Sequence, residues 1–195
     1  MEVVIIPYLN LFGLLILFST VVLFFIFSIK LLIYLINKKQ FPKKLMIASF
    51  VGITLLGIFT AYTIYCFTFQ TADGEFYKGP VTSPTEEYTA NAYYMTYGGA
   101  AGGVNVWVEI INNLTEQEAK IVYYSDAKSK FSMRWQDDKT LYIENEELEN
   151  LDENKSIELN VEKEIYHDQG LACRSWLMKD QYESCFSREY VKKGI

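Results

Sequence analysis

Two apolar runs near the start of the chain leave it few folds to choose from. Leu11 to Ile36 is 26 residues long with a single charge, Lys30, and Leu45 to Phe69 is 25 residues long with none. A helix rises about 1.5 Å per residue and the hydrocarbon core of a bilayer is about 30 Å thick, so about 20 apolar residues cross it. A soluble core helix has no need to be apolar all round for that length. The runs are joined by a basic loop, residues 37–44, and together they read as a transmembrane helical hairpin over residues 1–69.

The lysines predict its orientation. Lys38, Lys39, Lys43 and Lys44 crowd into the loop, whereas only Glu2 is charged before the first run. Positive charge in short loops stays cytoplasmic. This predicts a two-span cell-membrane protein with the loop inside and both chain ends outside. Lys30 is close enough to the inner end of its run to snorkel towards headgroups. The second run offers it no Asp, Glu or His, which argues against an ion or proton path. Met1-Glu2-Val3 lacks the positive start of a signal peptide, and the first run is too long for one. Tyr62, Tyr65, Phe67 and Phe69 suit an interfacial belt, and the small pairs Ala48/Gly52 and Gly57/Ala61 would let another helix approach closely.

Charge divides the chain in the same place. Residues 1–69 carry five Lys against one Glu, a net of +4, and residues 70–195 carry 13 Lys/Arg against 23 Asp/Glu, a net of -10, which together give the overall -6. An acidic exterior unit speaks against nucleic acid as a partner. Cys173 and Cys185 lie in it, in a compartment that permits disulfides. Twelve residues apart on one straight helix they would be about 18 Å from each other, beyond the roughly 7 Å that a bridge allows. A disulfide therefore requires a turn between them, and two free buried thiols are the alternative.

Residues 70–82, with Gly74, Gly79 and Pro80, read as a linker. From residue 83 to 165 the pattern is that of strands. Tyr88 to Met95 is aromatic and β-prone. Val104, Val106, Val108 and Ile110 alternate with polar residues, as do Phe131, Met133 and Trp135, then Leu141 and Ile143, then Ile157, Leu159 and Val161. With Lys120 to Ser125 these make six candidates separated by short turns, Asp137-Asp138 among them. The expected fold is a small antiparallel meander or sandwich, one face on its core and one towards water. Residues 166–195 lose the alternation, and Trp176 to Phe186 reads as a short helix.

Within this unit Ser83-Pro84-Thr85-Glu86-Glu87-Tyr88 is followed by Gly98-Gly99-Ala100, by Val106 to Asn113, and by the run Trp135 to Asn145. In that order these motifs resemble a family of small Gram-positive membrane-anchored proteins whose exterior β domain has no assigned function. The resemblance spans Val81 to Val161 and departs at Thr85-Glu86, where the family favours Asp-Gly. It implies a compact β domain and a membrane anchor, and no reaction.

Searching for chemistry yields little. His167 is the only histidine, so any His-based triad would have to use it. With Cys173 and Cys185 it matches no common zinc spacing. Six acids between Glu144 and Glu153 lack the glycine-centred spacing of a calcium loop and read as a solvated sheet edge. The loop holding Gly98, Gly99, Gly102 and Gly103 precedes a strand, not a helix, so it reads as a hairpin with the option of a contact loop rather than a phosphate cradle. Tyr93, Tyr94, Tyr97, Tyr123 and Tyr124 are candidates for core or for an aromatic patch. The expectation is a non-enzymatic protein without catalytic residues, metal or cofactor. It would sit in the lipid bilayer and present a binding, sensor or accessory module to another membrane protein or an envelope ligand. The alternative is a protective, immunity-like or structural protein whose hairpin carries the function.

Overall fold

The computed structural model describes residues 5–37, 40–69, 74–99, 102–115, 119–149 and 153–188. The chain divides into two compact units, Met1–Ile64 and Tyr65–Ile195.

The first unit is built on α1 (Ile5–Asn37) and α2 (Lys43–Tyr65). Their apolar stretches, Leu11–Asn37 and Lys43–Tyr65, are both long and apolar enough to cross a membrane. The second helix stops at Tyr65, so the last four residues of the expected span, Cys66 to Phe69, leave it. Hydroxyls on these helices turn back onto their own backbone. Thr20 Oγ1 donates to Ile16 O at 2.7 Å, Ser28 to Phe24 O, Thr54 to Phe50 O and Thr60 to Leu56 O. These four hydroxyls are thereby satisfied within their own helices, as an apolar surrounding favours, whereas the buried Ser49 hydroxyl has no partner among the described residues.

The two helices meet through small residues. A Cβ added at Gly52 would lie 2.6 Å from Thr20 Oγ1, and one at Gly13 would fall on the Phe59 ring. Gly57, by contrast, has open space where its side chain would be. Of the two small pairs, the Ala48/Gly52 pair therefore contributes Gly52 to packing within the hairpin. Gly52→Val should force the helices apart at an overpacking cost of about 1–3 kcal/mol. Gly57→Val should cost nothing comparable. Thermal aggregation of each variant in detergent checks the difference.

The second unit holds nine strands among its described residues, in two sheets. β1 (Glu75–Thr82), β2 (Tyr88–Tyr97), β3 (Gly103–Asn112) and β4 (Lys120–Asp126) form an antiparallel meander. β5 (Lys130–Trp135), β6 (Thr140–Glu146) and β7 (Ile157–Asn160) form a second, three-stranded one. The chain then returns to the first sheet. β8 (Glu164–His167) pairs parallel with β4, and β9 (Ser184–Phe186) pairs parallel with β8. The order of the large sheet is β1-β2-β3-β4-β8-β9.

Inward residues of both sheets close one core. Ala90, Ala92, Val106 and Val108 from the large sheet pack with Phe131, Leu141, Ile143 and Leu159 from the small one. Each of these valine, leucine, isoleucine and phenylalanine side chains contributes about 1.5–3 kcal/mol by leaving water. The β6 hairpin turn forms where Asp137 and Asp138 stand. Asp137 Oδ1 accepts the N–H groups of Lys139 and Thr140 at 2.8 and 2.7 Å, the usual device of an Asx turn.

Three expectations need correction. The sheet is mixed, because β8 and β9 join in parallel. Glu75–Thr82 of the expected linker is an edge strand. It accommodates Pro80 because an edge strand has unpaired positions, and register shifts on either side of Lys78 absorb Gly79 and Pro80. The helix of the tail lies at α3 (Leu171–Arg174), and Trp176 to Phe186 is turns followed by β9. The N–H of Trp176 goes to Tyr65 O at 2.9 Å, and the Ser175 hydroxyl donates to Phe67 O at 2.5 Å. The Trp176 N–H, which a continuing helix would have used internally, is committed to another segment. Cys173 and Cys185 are joined by a disulfide with their Cα atoms 5.3 Å apart, the chain turning between them.

Candidate functional site

The outer face of the large sheet carries a row of aromatic side chains at directly paired positions. Phe76 of β1 stands opposite Tyr93 of β2, Tyr93 opposite Trp107 of β3, Trp107 opposite Tyr124 of β4, and Tyr124 opposite His167 of β8. Ring centroids are 5.9, 5.9, 6.4 and 5.2 Å apart along it. Period-two alternation places one ring per strand on this face, and the register aligns them. The row crosses five strands.

One end of the row is open and the other is closed. Phe76 is 55% exposed, Trp107 is buried, and His167 is 1% exposed. The cover is the segment that follows α2. Phe67 meets the imidazole edge-on at 5.2 Å, and Phe69 lies 5.8 Å from both His167 and Tyr124. Further along, the backbone of Gly74 rests on the indole of Trp107, where a Cβ would come within 2.0 Å of the ring. Only glycine fits there. Phe67 and Phe69 therefore pack against β-unit rings, and only Tyr62 and Tyr65 of the expected belt stay exposed on the helix.

Burial sets the chemistry of His167. Both ring nitrogens are buried without a hydrogen-bond partner among the described residues. Desolvation pushes its pKa down to about 4, against weaker upward pulls from its own backbone and from Asp168. The ring is a neutral, stacked plate at neutral pH.

Beside the closed end lies a polar network that is buried at Lys155, Asp168 and Asn145 and open at Asp126 and Tyr97. Lys155, fully shielded from solvent along its side chain, places Nζ 2.6 Å from Asp168 Oδ2 and 3.5 Å from Asp126 Oδ2. Tyr166 donates to Asp168 Oδ1 at 3.1 Å, and Tyr97 to Asp126 Oδ1 at 3.1 Å. Below them Asn145 is wholly buried. Its Nδ2 donates to the Tyr123 hydroxyl at 2.8 Å and to Asp126 O at 2.9 Å, and its Oδ1 accepts the Lys128 N–H at 2.8 Å. Tyr123 in turn donates to Lys155 O at 3.0 Å. The parallel pairing of β4 and β8 is what brings Asp126 and Asp168 to one end of the sheet.

The glycine loop adjoins this network through Tyr97. Gly98 and Gly99 take φ of 76° and 63°, the left-handed region. At Gly102 a Cβ would strike Tyr97 O at 1.5 Å, and Gly103 packs on the Tyr97 ring. The four glycines thus answer to the geometry of the β2–β3 turn; Ala100 and Ala101 between them lie outside the described residues. The Cys173–Cys185 bridge ties α3 to β9, away from that turn across β4 and β8.

The tyrosines differ in burial, and not by strand face alone, since the neighbours Tyr93 and Tyr94 point to opposite sides of β2. Tyr123 is fully buried and stacks on Tyr166 at 5.2 Å, Tyr93, Tyr94 and Tyr124 are half-buried, and Tyr97 is exposed. The acids between Glu144 and Glu153 are partly engaged. Glu144 takes Lys130 Nζ at 2.5 Å and Ser132 Oγ at 2.8 Å, and the Lys130 contact holds its carboxyl below the usual range. That is the opposite of what a general acid needs. Glu153 pairs with Lys128. Among the described residues no three His, Cys, Asp or Glu converge to hold a metal ion.

Sequence reasoning passed over Lys155 and the role of His167. Lys155 carries no signal of its own in the sequence, and the single histidine is a candidate there only for a triad base or a zinc ligand. The available clue was the alternation itself, which puts Tyr93, Trp107 and Tyr124 on one face.

A family model described as a family of unknown function, DUF5412, matches residues 39–168, which is 130 of the 195 residues. The match runs from the loop ahead of α2 to the residue after His167. No curated protein and no solved structure matches the chain.

Proposed function

The chain belongs to this family of unknown function, and from that premise we propose that it is a two-span membrane protein whose β unit is a binding and sensing module rather than an enzyme. In this reading α1 and α2 cross the bilayer with their lysine loop inside, and the acidic unit is presented outside to a protein or envelope ligand.

One observation carries the sensing part of the proposal. The segment after α2 is not a free tether but a packed element of the β unit, with Phe67 and Phe69 seated on His167 and Tyr124. A ligand that engages the open end of the aromatic row at Phe76 and Tyr93 acts on a stack that continues to the covered end. Packed side chains are one carrier of coupling between two places, and the row is a chain of such contacts.

Crosslinking in native membranes followed by pull-down tests the proposal. The full chain and the unit beginning at Tyr65 should capture the same partner, and residues 1–64 alone should not. Beginning the unit later would strip the cover from His167 and confound the comparison. If residues 1–64 capture every partner and the β unit none, the hairpin carries the function instead.

A further inference from the structure

We propose that the disulfide-closed tail loop between Cys173 and Cys185 docks on the lipid headgroup layer, with Trp176 and Leu177 as its inserted residues. The inference deepens the reading above and rests on α2 crossing the bilayer.

Trp176 and Leu177 are 69% and 56% exposed, although the next residue, Met178, is buried. Two large apolar side chains thus stand out from a turn whose backbone is fixed from several sides. The Trp176 N–H is held by Tyr65 O at 2.9 Å. The Leu177 N–H is held by Ser175 Oγ at 3.2 Å, and that hydroxyl is itself anchored on Phe67 O. The disulfide closes the loop behind them. Little conformational freedom remains to be lost when such a turn binds.

Its place names the occupant. The indole of Trp176 stacks on the Tyr65 ring, centroids 5.0 Å apart and planes at 23°. Tyr65 is the last residue of α2, an apolar helix of 23 residues. With α2 across the membrane Tyr65 lies at the water boundary, and a ring stacked on it lies within a few ångströms of the same depth. Tryptophan and tyrosine favour that layer because their rings are apolar and their N–H and O–H groups reach water. Arg174 and Lys179 are exposed on either side of the pair, with Asp180 beyond them, in a unit that is otherwise strongly acidic. Cations beside an inserted aromatic suit anionic headgroups.

The test uses the full-length protein in phosphatidylcholine–phosphatidylglycerol vesicles whose acyl chains carry bromine just below the ester. Bromine quenches tryptophan on contact. The other two tryptophans, Trp107 and Trp135, are packed in the β unit and serve as the unquenched reference. Wild-type emission minus that of Trp176→Phe should fall by about half in the brominated vesicles, as for an interfacial ring. Trp176→Phe itself should be insensitive to bromine. Equal quenching of the two proteins overturns the proposal. So does an unquenched Trp176 that is shielded from aqueous acrylamide, since protein then covers it. Alkaline carbonate extraction separates the two levels of failure. A protein that resists extraction but shows no bromine effect leaves the anchor standing and removes the dock. A protein that is stripped from the membrane removes both.

Discussion

Lys155→Ala is expected to destabilise the β unit by about 3–5 kcal/mol, the cost of removing one partner from a buried ion pair. The side chains of Lys155 and Asp168 are 3% and 10% exposed, so water cannot replace the ammonium beside that carboxylate. Asp126, at 3.5 Å on the other side, is more open and suffers less. The damage comes from the orphaned carboxylate rather than from the lost attraction. Lys155→Met with Asp168→Asn should therefore be more stable than Lys155→Met alone, although it carries one change more. Non-additivity of this sign is the signature of two groups acting as a unit. Denaturant unfolding of the full chain in detergent, followed by tryptophan emission, reads the midpoints. Equal or additive losses would show that the pair is solvated.

Acidification is expected to cost nearly as much through His167. Its folded pKa of about 4 lies below the ordinary 6.5, because burial between rings disfavours the imidazolium. Between those pH values the unfolded chain binds a proton that the native chain refuses. Stability is full above pH 6.5, declines as pH falls through the window, and has lost about 3 kcal/mol by pH 4. Asp137, Glu144, Glu153 and Glu162, whose hydrogen-bonded carboxyls are held below their usual range, add losses in the same direction at lower pH. His167→Phe keeps a flat ring in the stack and removes the proton. It should flatten the profile between pH 6.5 and 4.5 while leaving the steeper fall below it. An unchanged profile in that variant would mean that His167 titrates freely.

The parts of this fold that were legible in the sequence are those with a strict period. Val104 to Ile110 and Phe131 to Trp135 alternate apolar with mostly polar residues, and both are strands where expected. The two apolar helices were legible from length alone. What escaped has physical causes. Ile165, Tyr166 and His167 are all buried, the first sheet's inner side receiving one face and the segment after α2 the other. A strand covered on both sides has no alternation to read. β1 hid behind Gly79 and Pro80, which mark linkers more often than edges. The polar network hid because its members are scattered from Tyr97 to Asp168, and only the parallel pairing of β4 with β8 gathers them.

The hydrogen bond from Ser175 to Phe67 also says something about how the molecule comes into being. It joins positions 108 residues apart. The segment after α2 leaves the ribosome long before the strand it will cover, so its two phenylalanines have no native surface to rest on for most of synthesis. Over the same interval the free side of β4 presents unpaired backbone groups, since its neighbour β8 is yet to be made. Open strands of this kind are where nascent chains stick to one another. Contacts of high sequence separation also form slowly, because a long loop must close before they are rewarded. The β unit is thus finished only when β8 and Ser175 meet the segment after α2, and that late contact is the latch of its maturation.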